Sequence, residues 1–182
     1  MNLYIRLLIL LLKRLFRRPA RIDIFDACKT SFIVNPFDLD VNFHMNNGRY
    51  LSLMDLGRVD LMIKSGVFWT LIKDGYYPVV VAESIRFKKS LDPFQSFHIL
   101  TQVDSLDEKD FFISQKFYRG ELLVAEGYMK GRFKKRGRKG SVSTQELLAL
   151  IGAPERKPFY SERAQLLNAT QQSLAQEAAQ NL

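Results

Sequence analysis

The chain has one cysteine in 182 residues, so Cys28 cannot close an internal disulfide and the fold must rest on its core. That usage points to a reducing compartment, with Cys28 as a buried inert thiol in a strand-like run. Histidine is equally sparse: His44 and His98 are the only two, they share no metal-ligand spacing, and no metal centre or other cofactor is expected. Long apolar runs are missing from the amino-terminal segment. Its longest stretch without a charge, Leu7 to Leu12, falls far short of the ~20 residues that span a bilayer. No small-residue cleavage site follows it, so no removed signal peptide is expected. No internal repeat is present.

Acids are missing from two stretches that are rich in bases. Residues 1–21 hold Arg6, Lys13, Arg14, Arg17, Arg18 and Arg21, and residues 130–140 hold Lys130, Arg132, Lys134, Lys135, Arg136, Arg138 and Lys139. Thirteen of the 27 basic residues sit there, which leaves 14 against 19 acids elsewhere and a mildly acidic remainder in a chain of net charge +8. A chain built throughout for nucleic acid would not be divided in this way, and no aromatic platform is interleaved in 130–140. No nucleic-acid partner is expected. The length suits one compact domain with modest extensions.

Asn2 to Arg18 reads as an amphipathic helix ended by Pro19. Arg6, Lys13, Arg14 and Arg17 gather on one side, where Leu3 and Leu10 intrude; Leu8, Leu11, Leu12, Leu15 and Phe16 point elsewhere. Three placements fit: an interfacial helix on an anionic leaflet, a short snorkelling span, or a helix packed on its own protein. Either membrane placement puts the basic cluster on the cytoplasmic side, so the expected location is the cytoplasmic face of a membrane.

Ala27 to Asn35 reads as a strand. Pro36 opens a loop, and Asn46 or Asn47 is placed to cap a long helix from Gly48. Tyr50, Met54, Gly57 and Leu61 share one face of that helix, and a glycine there predicts close packing on a sheet. The pattern ends near Ser65-Gly66, and Phe68 to Lys73 offers a short second helix. From Tyr77 the period becomes two, with strands marked by Ile85 and Phe87, by Phe97, Ile99 and Val103, by Phe111, Ile113 and Phe117, and by Leu122, Val124 and Tyr128. One strand, one long helix and four hairpin-linked strands make an α+β layout with the helix against one sheet face. Ser143 to Ile151 suggests a short capped helix, and Ser161 to Leu182 a helical surface appendage.

The loop residues Asp38-Leu39-Asp40-Val41-Asn42-Phe43-His44-Met45-Asn46-Asn47-Gly48 hold the chemistry. They set two carboxylates, an imidazole and three carboxamides ahead of a helix start, where unpaired N–H groups and a partial positive charge can polarise a carbonyl. Asp-x-Asp-x-x-x-His-x-Asn-Asn, then Tyr50 and the helical Asp55-Leu56-Gly57-Arg58, resembles the 4-hydroxybenzoyl-CoA thioesterase-like branch of the hot-dog thioesterases. The resemblance covers about Cys28 to Phe133. It extends to short thioesterase-superfamily members that begin with a hydrophobic, membrane-associating segment. It implies a hot-dog fold, an antiparallel sheet wrapped around a long central helix, over residues 22–140, with a membrane-associating segment at 1–21 and a helical extension at 141–182.

The same resemblance implies hydrolysis of acyl-CoA or acyl-carrier-protein thioesters by a homodimer or dimer of dimers. It maps the catalytic carboxylate onto Asp40, acting as nucleophile or as general base, with Asp38 holding the loop. His44 polarises the thioester, orients Asp40, or is a hydrogen-bonded loop histidine; Asn46 and Asn47 orient substrate or cap the helix. Tyr50 is substrate-facing or core, and Glu83 is a second acid near the partner's motif. Arg86, Lys88 and Lys89, and Arg132 to Arg136, either bind coenzyme A phosphates or form solvated basic edges. Phe43 stands where the family usually has Gly, a position suited to positive φ or close approach of a ligand. There it would fill part of the acyl pocket or reduce activity, which leaves an inactive acyl-binding or membrane-partner scaffold as the alternative.

Overall fold

The structure, a computed structural model, describes residues 3–16, 21–154 and 156–180. In chain order it contains α1 (Leu3–Phe16), β1 (Cys28–Ile33), α2 (Asn47–Lys64), α3 (Phe68–Lys73), β2 (Tyr76–Phe87), β3 (Ser96–Leu106), β4 (Asp110–Arg119), β5 (Leu122–Lys135), α4 (Thr144–Leu150) and α5 (Glu162–Gln180). The five strands form one antiparallel sheet in the order β1-β3-β4-β5-β2. Each boundary falls close to the change of hydrophobic period that predicted it. β1 pairs with β3 in the register Cys28↔Thr101 to Ile33↔Ser96.

The chain forms two compact units. The first comprises Met1–Trp69, Ile85–Gln102 and Ser114–Gly127, and the second Thr70–Ser84, Val103–Ile113 and Tyr128–Leu182. In the first, α2 lies on the sheet through Tyr50, Leu53, Met54 and Leu56, packed with Val34, Phe97, Ile99, Phe117 and Val124. Gly57 is the point of closest approach. A Cβ there would stand 2.7 Å from Thr101 Oγ1 and 3.0 Å from Gln115 Nε2, and overpacking of that kind costs about 1–3 kcal/mol. The predicted close packing is thus met by two polar side chains. Fully buried Gln115 donates to the Met54 carbonyl (2.9 Å) and Thr101 Oγ1 (3.0 Å), and accepts from Arg58 Nη1 (2.8 Å). Cys28 is 1% exposed, and burial, with the Asp60 carboxylate nearby, pushes its thiol upward in pKa, as suits an inert residue.

α1 packs on its own protein. Leu3 and Leu7 lie against the core of the first unit, and Arg6 and Leu10 are buried. The inward stripe is therefore Leu3, Arg6, Leu7 and Leu10, which separates buried Arg6 from exposed Lys13, with which the wheel had grouped it. Tyr4, Ile5, Leu8, Ile9 and Leu12 face outward. Among the described residues no helix is long and apolar enough to cross a membrane. Arg17 and Arg18 lie outside the described residues.

The second unit spends its charges internally. Arg132 binds Asp110 through Nε and Nη2 (2.7 and 2.9 Å), and Lys130 adds a contact of 3.0 Å. Arg138 grips Glu146 of α4 at 2.8 and 2.9 Å. The start of α5 is docked: fully buried Ala164 packs with Phe112 and Tyr128, and Ser161 donates to Asp104. Burial pushes the Tyr128 hydroxyl, and its bond to Asp104 helps push it, up to about 12.

Candidate active site

The loop between β1 and α2 is built in two halves. In the first, Asn35-Pro36-Phe37-Asp38 closes one 3-10 turn, with Pro36 at a position where no N–H is needed. Asn35 Oδ1 accepts from the Phe37 N–H (3.3 Å), and Asp38 Oδ2 accepts from the Asn35 N–H (2.9 Å), a reciprocal cap. Asp38 is 2% exposed, so its charge requires partners. Arg6 of α1 donates to Oδ2 through Nη2, and Arg49 Nε lies 3.8 Å from Oδ1. The Asp38 carbonyl accepts from the Asn46 N–H at 2.8 Å, tying the turn to the helix start. Asp38 is the structural member of the pair, as expected.

The second half is a tight turn from Asp40 to His44. The Asp40 N–H donates to the His44 carbonyl (2.9 Å), the Phe43 N–H to the Asp40 carbonyl (3.1 Å), and Leu39 bridges to Met45. Asp40 Oδ1 accepts the N–H groups of Asn42 (2.8 Å) and His44 (3.4 Å). No hydrogen bond among the described residues engages Oδ2. Phe43 takes φ +58°, a left-handed conformation that residues with a Cβ adopt at a cost and glycine adopts freely. The residue is 73% exposed.

Asn46 is the N-cap of α2, its Oδ1 accepting from the Gly48 N–H at 2.9 Å. Asn47 is the first helical residue, and its N–H has no acceptor among the described residues. A cavity of about 350 Å³ opens at this helix start, lined by Asp40, Asn42, His44, Asn47, Tyr50, Phe87, Lys88, Lys89 and Ser90, with Met45 completing the wall. Tyr50 is 2% exposed and packs on Phe87 and Phe117 at ring distances of 5.0 and 5.1 Å. Burial pushes its hydroxyl up to about 12, so it is a neutral group at physiological pH.

Of the residues singled out from sequence, Asp40, His44, Asn47, Tyr50, Lys88 and Lys89 meet at this cavity. Asn46 stands behind it as the cap. The His44 imidazole is turned to Asp92, Nε2 to Oδ1 3.6 Å, and its hold on Asp40 is through the main chain. Arg86 is exposed and lines no part of the cavity, and half-buried Glu83 belongs to the second unit. Lys88 also pairs with Glu126 at 3.1 Å. Arg132 is committed to Asp110. Phe87, Ser90 and Asp92 were not singled out, because the end of β2 and the turn after it reach the motif through the register of the sheet.

Residues 34–166 match the Thioesterase-like superfamily. The chain belongs to that superfamily. Within it, 36% identity over 100 residues relates the chain to Protein THEM6 of Xenopus laevis, covering 55% of this chain and 48% of the relative. The Probable thioesterase YBR096W of Saccharomyces cerevisiae is 29% identical over 86 residues, covering 46% and 36%. The chain spans about half the length or less of these curated relatives. Among solved structures, the YbaW probable thioesterase of Escherichia coli aligns with a TM-score of 0.63 at 23% identity, over 68% of this chain and 96% of that one. BH1999 gentisyl-coenzyme A thioesterase aligns at 0.60 and 20% identity, over 66% and 98%. The thioesterase-like chain therefore has the hot-dog fold that its motif implied.

Proposed function

We propose that the protein hydrolyses acyl thioesters at the cavity before α2, with Asp40 as the reacting carboxylate. The observation that carries this reading is the asymmetry of Asp40: Oδ1 is held by two backbone N–H groups, while Oδ2 meets no donor among the described residues, beside a cavity at a helix start. As general base, Oδ2 takes a proton from water as the water oxygen attacks the thioester carbon. The carbonyl oxygen gains charge near the Asn47 N–H and the positive end of α2, and collapse breaks C–S to release a carboxylate and a thiol. As nucleophile, Oδ2 instead forms an acyl anhydride, expelling the thiol, and water then cleaves the anhydride. Single-turnover hydrolysis in ¹⁸O water separates the two, because only the anhydride route can leave label in Asp40.

Lys88 and Lys89 at the cavity mouth suit the phosphates of coenzyme A; a carrier protein's phosphopantetheine offers a similar arm. The twelve-residue edge strand β2, with Tyr77, Val80 and Val81 exposed, supports assembly by strand pairing into a homodimer or dimer of dimers. The outward Tyr4, Ile5, Leu8, Ile9 and Leu12 of α1, beside Lys13, support peripheral contact with an anionic membrane on its cytoplasmic face.

The deciding experiment is a hydrolysis screen across aromatic, short, medium and long acyl-CoAs and an acyl-carrier protein, with wild type and Asp40→Ala. Turnover that survives Asp40→Ala removes the mechanism. Saturable acyl-CoA binding without hydrolysis decides for a scaffold. Phe43 is what favours that second reading, since it spends strain on a turn that glycine makes freely. Sedimentation equilibrium tests the dimer, and co-sedimentation with anionic against neutral vesicles tests the membrane contact.

A further inference from the structure

Between α1 and the edge strand β1 runs a second, larger groove of about 900 Å³, within the range that encloses small organic ligands. Its walls are apolar where Ile9, Leu10, Phe32, Ile33 and Phe94 line it. One buried charge interrupts them. Arg6 is 6% exposed, and its Nη2 is engaged by Asp38 and by the Ile33 carbonyl at 3.4 Å. Its Nε and Nη1 are buried and have no hydrogen-bond partner among the described residues. Buried guanidinium N–H groups are rarely left this way, since the desolvation they suffer is returned only by an acceptor.

The charge around the groove says what kind of acceptor fits. Lys13 and Lys29 also line it. The one acid on the wall, Asp60, is held by Thr30 Oγ1 (2.6 Å) and Lys64 (3.0 Å). Asp38 occupies one arm of Arg6, and Arg49 stands 3.8 Å away from its other oxygen. The cluster therefore welcomes one more negative charge. A carboxylate supplies that charge and accepts from a guanidinium N–H in a charge-assisted hydrogen bond.

We propose that this groove binds the carboxylate of a single-chain amphiphile, a long-chain fatty acid, with the head accepting from an unpaired N–H of the Arg6 guanidinium and the chain along the apolar wall. The assignment is independent of hydrolysis at Asp40, whose cavity has a different set of lining residues.

The test is equilibrium binding of palmitate, hexadecanol and a lysophosphatidic acid of equal chain length to the full chain, by calorimetry in a non-ionic detergent. Palmitate is expected to bind one-to-one and at least tenfold more tightly than hexadecanol. In Arg6→Lys, which keeps a cation for Asp38 but removes Nε and Nη1, palmitate binding should weaken about tenfold and hexadecanol binding hardly change. Ser31→Trp, on the groove wall, should block palmitate while the melting temperature is kept. With carboxyl-¹³C palmitate, the bound head should stay ionised at a lower pH than in detergent alone, a shift that burial of the chain cannot produce. Equal affinity for palmitate and hexadecanol, or palmitate affinity untouched by both variants, overturns the proposal. Tighter binding of the lysophosphatidic acid overturns the choice of a carboxylate. Competitive displacement of palmitate by a non-hydrolysable acyl-CoA thioether, with Ser31→Trp binding palmitate normally, places the ligand at the Asp40 cavity instead and also overturns it.

Discussion

The inner half of the loop, Asn35 to Asp38, buries its carboxylate against Arg6 and a capped turn, while the rim, Asp40 to His44, leaves its carboxylate half-exposed beside a cavity. Both acids accept backbone N–H groups. What separates them is what remains after those bonds are made. Asp38 has both oxygens close to cationic side chains, and its contacts hold α1 and the turn together. Asp40 has one oxygen spent and one in reserve. Within three residues, the same functional group is tied down on both oxygens in one case and on one oxygen in the other, and the surrounding donors decide which.

Four substitutions break or sharpen that contrast. Asp40→Asn keeps the Oδ1 acceptor and removes the base, so thioester turnover should fall by about 10²–10⁴ while the melting temperature holds; an assay paired with thermal unfolding reads both. Asp38→Ala should do the reverse in kind, because it strands a buried Arg6. It should cost about 3–5 kcal/mol of stability by urea denaturation, and a loss under 1 kcal/mol (roughly the worth of an exposed pair) would show that the inner half is not a strut. Asn46→Ala removes only the cap behind the cavity and should cost ~1 kcal/mol; an activity loss far beyond that would make Asn46 part of the rim. Phe43→Gly relieves the positive φ at the expense of unfolded-state freedom, for a gain of at most about 1 kcal/mol. Its activity should be equal to or above wild type, and a fall would mean the exposed ring touches substrate.

Much of this was legible in the chain. The switch from helical to alternating period at Tyr77 located the strands, since a half-buried strand must alternate. Gly57 announced a close helix–sheet approach, and the polar pairs Asn46-Asn47 and Ser143-Thr144 announced helix starts, of which the structure uses Asn46 and Ser143 as caps. Arg6 was not legible. A helical wheel sorts residues by average polarity, and an arginine paired with a carboxylate 32 positions away looks like any solvent-facing base. The basic stretch at 130–140 misled for the same reason: Lys130, Arg132 and Arg138 meet Asp110 and Glu146 only once β4, β5 and α4 are folded. The start of α5, polar on average, hid the single small residue, Ala164, that docks it.

By itself the sequence determined the order of elements, the α+β layout and the loop in which the acids stand, because period, turn residues and caps act over a few neighbouring positions. Only the tertiary structure decided which carboxylate is buried and which is open, that His44 turns to Asp92, and that Arg6 lines a groove with two nitrogens that meet no acceptor among the described residues. Those outcomes depend on which distant groups share a small volume of low dielectric, where one partner more or less reverses the role of a charge.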